Sequence, residues 1–444
     1  MRVLIKGGLV IDPKNKRNEQ LDILLDDGVI VKIKSDITDK YDYLLGADGL
    51  IVSPAFVDLH TNFCDPGVTT REDLKSGSLS AIKGGYGFIV LGTDNKPAPS
   101  ECNVIDYIMR YREIMPVSIF PCGAITESKK GEKLADLQFL YNHGVVGFFD
   151  GLRPIADKEL LKEALLKVKD INRPLALYSG ILEGVKVRGI NDGKVAQKLG
   201  IKNAERAEDE ATDLFNNIEV IKDTGATVDF CYITTKESID LINIAKQHLN
   251  NIYAEVPALN LILTEKALEK EGTLAKVVPS LKSEADRKAL IQALKDGDID
   301  IIASNHAPCT EAEKEEKLKN ATNGAIGLET TLGICGKVLV STKIMTWEEV
   351  IEKIVVNPAK LYNLAEYGAG SIEEGDYANI TIFDPNEKWS LQVDDIASKS
   401  KNSPLIDVPL IGKVKYTICD GKLVYRDIPK TEEVEEKNDT RKSK

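Results

Sequence analysis

Imidazole, thiol and carboxylate groups are what a protein offers to a metal ion, and this chain sets one histidine where such chemistry would be done. The stretch IVSPAFVDLHTNFCDPG, residues 51–67, opens as an apolar strand with Pro54 near its start, where no ladder donor is needed. It reaches Asp58-Leu59-His60, then breaks into polar residues and the turn pair Pro66-Gly67. A polar cluster straight after a buried parallel strand sits at that strand's C-terminal end. In an α/β barrel that is the end where active sites are built. A strand delivering His-x-His there brings two imidazoles to one metal, because residues two apart on a strand share a face. Here the triplet is His60-Thr61-Asn62, so the second position is an amide.

The elements that must position these residues are legible on either side. Residues 1–52 alternate apolar and polar side chains, broken by Gly7-Gly8 and Asp26-Asp27-Gly28, and predict short β-strands. From Ser53 the pattern becomes strand then helix, repeatedly. PAFVDLH, YGFIVLGT, VSIFPCGAI, GVVGFFDG, PLALYSG, TVDFCYI, NIYAEVPA and DIDIIASN are short apolar runs, most of them separated by amphipathic stretches such as DKELLKEALLKVKDI. Eight such units predict a (β/α)8 TIM-type barrel over residues 53–364. Strands return in GDYANITIFD, KWSLQV and GKVKYTICDGKLVYRD, the last a hairpin on Asp420-Gly421. Residues 1–52 and 365–428 are expected to pair into a small β-sandwich. Residues 429–444 are expected to form a charged, disordered tail.

Composition narrows the class. Of 444 residues, 43% are hydrophobic and 29% charged, as in a globular protein with a full core. The 58 basic and 70 acidic residues give net charge −12, which argues against nucleic-acid or anionic-membrane partners. The seven cysteines stand singly (Cys64, Cys102, Cys122, Cys231, Cys309, Cys335, Cys419), without a CxxC pair, and point to a reducing cytoplasm. The start, MRVLIKGG, predicts a strand and turn rather than a signal peptide, and no apolar run approaches the ~20 residues of a membrane span.

PAFVDLH, Gly84–Phe88, EVPALNLILTE (255–265), residues 279–308, GAIGLETTL (324–332), NPAKLYNL (357–364) and SKSKNSP (398–404) resemble the dihydroorotases of the amidohydrolase superfamily, over nearly the whole chain. The resemblance implies a cyclic amide hydrolase that interconverts dihydroorotate and N-carbamoyl-L-aspartate. It implies one or two zinc ions at the barrel mouth and an aspartate after the last strand as proton shuttle. A zinc-bound water is acidified from pKa ~15.7 to about 7, and a carboxylate then moves the proton.

Carried over residue by residue, the family pattern fits only in part. The first metal-binding histidine falls on His60 and the bridging carboxylate on Asp150. The other ligand positions fall on Asn62, Tyr178 and Tyr232, and the general base falls on Asn305. Among the substrate-binding positions, the arginine falls on Cys64 and the asparagine on Asp94, while His306 keeps its counterpart. The histidine usual after Ala-Pro is Cys309. Framework positions Pro66, Gly67, Gly84, Gly85, Gly327, Glu329 and Asn357-Pro358 all match. Two retained ligands do not make a catalytic zinc site, which takes about three protein ligands and an open position. Cys64 and Asp94 offer an anionic substrate no cation.

The expectation is therefore a noncatalytic dihydroorotase-like chain with no bound cofactor, serving assembly with aspartate carbamoyltransferase in a homo- or hetero-oligomer. The rival is a working zinc-dependent cyclic amidohydrolase using His60 and Asp150 with Cys64, Cys309 or His306 as replacements. Each residue also has a plainer reading. His60 and His306 are then hydrogen-bonded core histidines, Asp150 pairs with Arg153 or a backbone donor, and Tyr178 and Tyr232 fill the space of lost imidazoles. With only four histidines in the chain, no other metal cluster is expected.

Overall fold

The computed structural model describes residues 1–181 and 183–427. Eight parallel strands run in chain order: β1 (Phe56–Thr61), β2 (Tyr86–Leu91), β3 (Ser118–Gly123), β4 (Gly147–Phe149), β5 (Leu175–Tyr178), β6 (Val228–Cys231), β7 (Ile252–Pro257) and β8 (Ile301–Ala303). Each pairs with the next, and all eight coincide with the apolar runs read from the sequence. The strands are apolar on both faces because both faces are covered. Val57, Leu59, Phe88 and Val90 fill the barrel, while Phe56, Ile89 and Leu91 pack outward against the helical layer.

The helices start and stop where local chemistry dictates. Lys158–Ile171 buries Leu161, Ala164, Leu165 and Val168, a single face at helical spacing. Asp157 caps its start by accepting from the Glu159 and Leu160 N–H groups, and Asn172 ends it in a left-handed conformation. Glu284–Asp296 opens on a Ser283/Asp286 capping box.

Asp58 joins the first strand to the last. One of its carboxylate oxygens accepts from Ser304 N at 2.8 Å; the other accepts from the Ser304 and Thr61 hydroxyls, each at 2.5 Å. Asn62 N donates to His306 O at 3.1 Å beside it.

The terminal segments form a second, eight-stranded sheet. Its order is Lys422–Arg426, Pro409–Cys419, Ile380–Ser390, Ile51–Pro54, Arg2–Asp12, Arg17–Asp26 and Val29–Lys34, with Tyr43–Gly46 also on Arg2–Asp12. The first and last parts of the chain therefore do pair, and Ile5, Val10, Ile23, Val52, Ile380 and Ile418 share one core. Asp420 and Gly421 both take left-handed φ, +46° and +74°, as a two-residue hairpin turn requires. KWSLQV is not a strand of its own. Its first residues continue Ile380–Ser390 past an irregularity in the ladder. The tail expected over 429–444 lies outside the described residues. Among the described residues, no helix is long and apolar enough to cross a membrane.

Candidate functional site

Four of the positions named from the sequence share an unusual backbone. His60, Cys64, Tyr232 and Asn305 have φ of +58°, +57°, +60° and +48°. Non-glycine residues pay roughly 1–2 kcal/mol for this region, and such strain gathers at functional sites. At His60 it has a direct consequence. Val57 and Leu59 already point into the barrel, so strict alternation would turn the next side chain outward. The left-handed residue instead puts the imidazole inside, 4.5 Å from the Phe149 ring between centroids.

There His60 meets residues the sequence reading did not single out. Its Nε2 lies 3.1 Å from Asp229 Oδ2, 3.4 Å from Glu255 Oε1 and 3.3 Å from the Tyr362 hydroxyl. Asp229 and Cys231 share the inward face of β6, and Glu255 points inward from β7. His60, Asp229, Cys231 and Glu255 are all buried, with ligand atoms within 4.8 Å of one another. The expectation of no further metal cluster is therefore corrected. Its members come from carboxylates and a thiol rather than from more histidines. A carboxylate inside a parallel strand buried on both faces, as in VDFC and YAEV, was the signal available. Burial pushes His60 down, but Cys231, Tyr362, Glu255 and Asp229 outweigh it and raise the imidazole well above its usual range. Burial, then the Asp229 charge, raises the Glu255 carboxyl.

The other predicted positions have other partners. Asp150 Oδ1 accepts from Ile125 N (2.8 Å) and Thr126 N (3.1 Å), and Oδ2 from the Thr126 hydroxyl (2.5 Å). His60 and Asp150, the two retained ligand positions, thus belong to separate hydrogen-bond sets. Tyr232 sits edge-on to His60 and donates to the His60 carbonyl at 3.4 Å. Tyr178 lies under the Arg188 guanidinium, 5.7 Å from ring centroid to Cζ. Asn305 donates its amide to Val278 O at 3.2 Å. Asn62 is half-buried beside Gly92, where an added Cβ would lie 2.8 Å from its Oδ1.

His306 is fully buried. Its Nδ1 accepts from Gly327 N at 3.3 Å, which leaves the proton on Nε2, 3.4 Å from Glu72. At that spacing the contact is longer than a well-formed hydrogen bond. Gly327 is required here, since a Cβ would lie 2.1 Å from the Ser304 carbonyl. Burial would raise Glu72, but His306 and the Ser398 and Ser76 hydroxyls outweigh it and hold the carboxyl below its usual range. The SKSKNSP segment completes this wall. Asn402 donates to Ala307 O and Gly324 O and accepts from Cys309 N, and Glu329 accepts from Ala397 N and Ser398 N.

The replacement set of Cys64, Cys309, His60 and His306 does not gather as ligands among the described residues. His60 is turned to Asp229, His306 to Glu72, and the Cys309 thiol donates to Asn323 O at 3.4 Å. Burial pushes the Cys64 thiol up to about 12, leaving it protonated and inert. Cys64 and Asp94 themselves offer an anionic substrate no cation, as expected from their residue types, but a cation stands beside Asp94. Lys129 Nζ lies 3.7 Å from it and donates to Thr93 O. A cavity of about 580 Å³ opens beside them at the C-terminal ends of β4 and β5, lined by Lys129, Asp150, Arg153, Gly180, Arg188 and Asp213.

With this geometry in view, the similarities of the whole chain have a place. Residues 51–424 match the amidohydrolase family. Dihydroorotases of Clostridium acetobutylicum and Clostridioides difficile are 39% and 38% identical to this chain, over 96% and 95% of its length and 100% and 99% of theirs. The chain belongs to the dihydroorotase family of the amidohydrolase superfamily. Among solved structures it resembles the L-hydantoinase of Arthrobacter aurescens (TM-score 0.85, 21% identity, 96% of each chain). It also resembles the dihydropyrimidinase of Brevibacillus agri (TM-score 0.83, 21% identity, 96% of this chain and 95% of that one). These two speak for the barrel architecture.

The family's zinc must still be tested against the donors present in this dihydroorotase-family chain. At the mouth, two tyrosines and two amides hold the remaining ligand and base positions, and Asp150 is hydrogen-bonded to the β3 loop. Those donors do not fit a catalytic zinc with an open coordination position.

Proposed function

We propose that this chain is a noncatalytic member of the dihydroorotase family that serves pyrimidine biosynthesis as an assembly partner of aspartate carbamoyltransferase. One observation carries the reading: the proton-shuttle position is Asn305, whose amide is tied to the Val278 carbonyl. An amide neither takes up nor releases a proton near neutral pH, so ring opening has no base there. Tyr178 and Tyr232, buried where imidazoles would reach a metal, support the same conclusion. A scaffold role fits a barrel whose strands, strap and framework glycines are intact. Its outer helices also leave Phe139, Leu166, Phe215 and Ile244 exposed, apolar positions that a partner would cover. Sedimentation of this chain mixed with aspartate carbamoyltransferase should give a complex heavier than either protein. Two independent boundaries at micromolar concentration would count against the partner role.

A second reading is an active dihydroorotase, favoured by the names of the curated relatives and by Lys129, Arg153 and Arg188, which line the cavity among Asp150, Glu183 and Asp213 and offer cations to an anionic ring. Dihydroorotate turnover by the zinc-supplemented chain separates the two readings.

A further inference from the structure

We infer that His60, Asp229, Cys231 and Glu255 form a closed structural zinc site inside the barrel, which shares only His60 with the family's metal positions and draws its other three ligands from β6 and β7. The chamber lies deep. Asp229 is the second residue of β6, and Tyr362 packs below His60 against Gly147 at the start of β4, where an added Cβ would lie 2.5 Å from the tyrosine ring. Tyr232 covers the histidine from the edge and Phe149 lies against its ring.

The donor set suits zinc, which takes imidazole nitrogen, thiolate sulfur and carboxylate oxygen in one tetrahedron. Ligands about 2.0–2.1 Å from a tetrahedral ion stand about 3.3 Å from each other. Here His60 Nε2 is 3.1 Å from Asp229 Oδ2 and 3.4 Å from Glu255 Oε1, so the edges already match. Cys231 Sγ belongs to the same cluster, within 4.8 Å of the other ligand atoms.

The remaining atoms also point to a cation. Asp229 Oδ1 and both Glu255 oxygens are buried without a hydrogen-bond partner. Two carboxylates side by side in a dry interior, faced by one imidazole, leave acceptor capacity that a divalent ion would satisfy. Binding displaces to solvent the Cys231 thiol proton and the protons held by His60 Nε2 and the Glu255 carboxyl, so the occupied site holds one neutral imidazole, one thiolate and two carboxylates around Zn²⁺. Four protein ligands leave no open position, so the ion stiffens β1, β6 and β7 rather than activating water. Because the chamber is enclosed, zinc enters during folding.

The test uses the full chain expressed with zinc and purified without chelator, by elemental analysis and zinc X-ray absorption. The expected result is about one zinc per chain, with one sulfur and three nitrogen or oxygen neighbours at first-shell distances. Cys231→Ser should lose the sulfur shell, and Glu255→Gln should lower zinc content at least tenfold. Zinc below a tenth of an equivalent, or a first shell without sulfur in the unmodified chain, would overturn the site. In that case a proton shared by Glu255, Asp229 and His60 holds the cluster. The spectrum of the unmodified chain decides even if both variants fail to fold. The site can fail while the noncatalytic reading stands, and turnover can defeat that reading while the sulfur shell remains.

Discussion

Single side chains carry sharply different burdens in this barrel. Asp58 accepts three hydrogen bonds, two of them from Ser304, and so joins β1 to the end of β8. Asp58→Ala leaves the buried Ser304 N–H and the Ser304 hydroxyl proton without their acceptor, and should lower unfolding free energy by about 2–4 kcal/mol in urea titrations. A loss within experimental error would mean that the barrel closes by packing alone. Asp213, at the cavity by β5, gives a pH signature. Burial pushes its carboxyl up to about 6, with the Gly180 N–H and the Asn217 amide opposing. A carboxyl raised on folding favours the folded state below its ordinary value of about 4, and that advantage is lost as pH rises towards 6. The melting temperature of the parent chain relative to Asp213→Asn should therefore fall between pH 4 and 6. Parallel curves would refute the assignment. At this scale only part of the site was legible from residue types. The substitutions at Asn62, Tyr178, Tyr232 and Asn305 were readable against the family pattern. The company His60 keeps was not, because it depends on a left-handed backbone that no residue type announced.

Elements explain what the motifs of the family do in the fold. SKSKNSP is one of the motifs that carry the family resemblance. In the fold it is a strap: Asn402 bridges Ala307, Cys309 and Gly324, and Glu72 and Glu329 hold the residues around Ser398. Asn402→Ala should cost about 2–3 kcal/mol and speed amide exchange selectively at Cys309 and its neighbours. Uniform exchange across the barrel would contradict a local strap. All eight barrel strands and the Asp420-Gly421 hairpin were legible, because period and turn chemistry act over a few residues. The short parallel pair Val187–Asn191 and Ala204–Glu205, after β5, was not anticipated. Its residues carry no strand periodicity, and its pairing is set by contacts distant in sequence.

At the scale of the whole molecule, the family's fold and the residues at its mouth are separate matters. The barrel closure at Asp58, the strap at Asn402 and the sheet of both termini are made without the side chains of Asn62, Tyr178, Tyr232 or Asn305. Restoring the single shuttle carboxylate by Asn305→Asp should therefore leave dihydroorotate turnover at background, since the ligand positions still lack imidazoles. Activity appearing with that one change would mean a metal centre is already competent. The most direct test of the central claim is turnover of dihydroorotate by the zinc-supplemented, unmodified chain, with the His60→Ala variant as reference. The account predicts rates indistinguishable from buffer for both proteins. Turnover well above buffer that disappears in His60→Ala would contradict it.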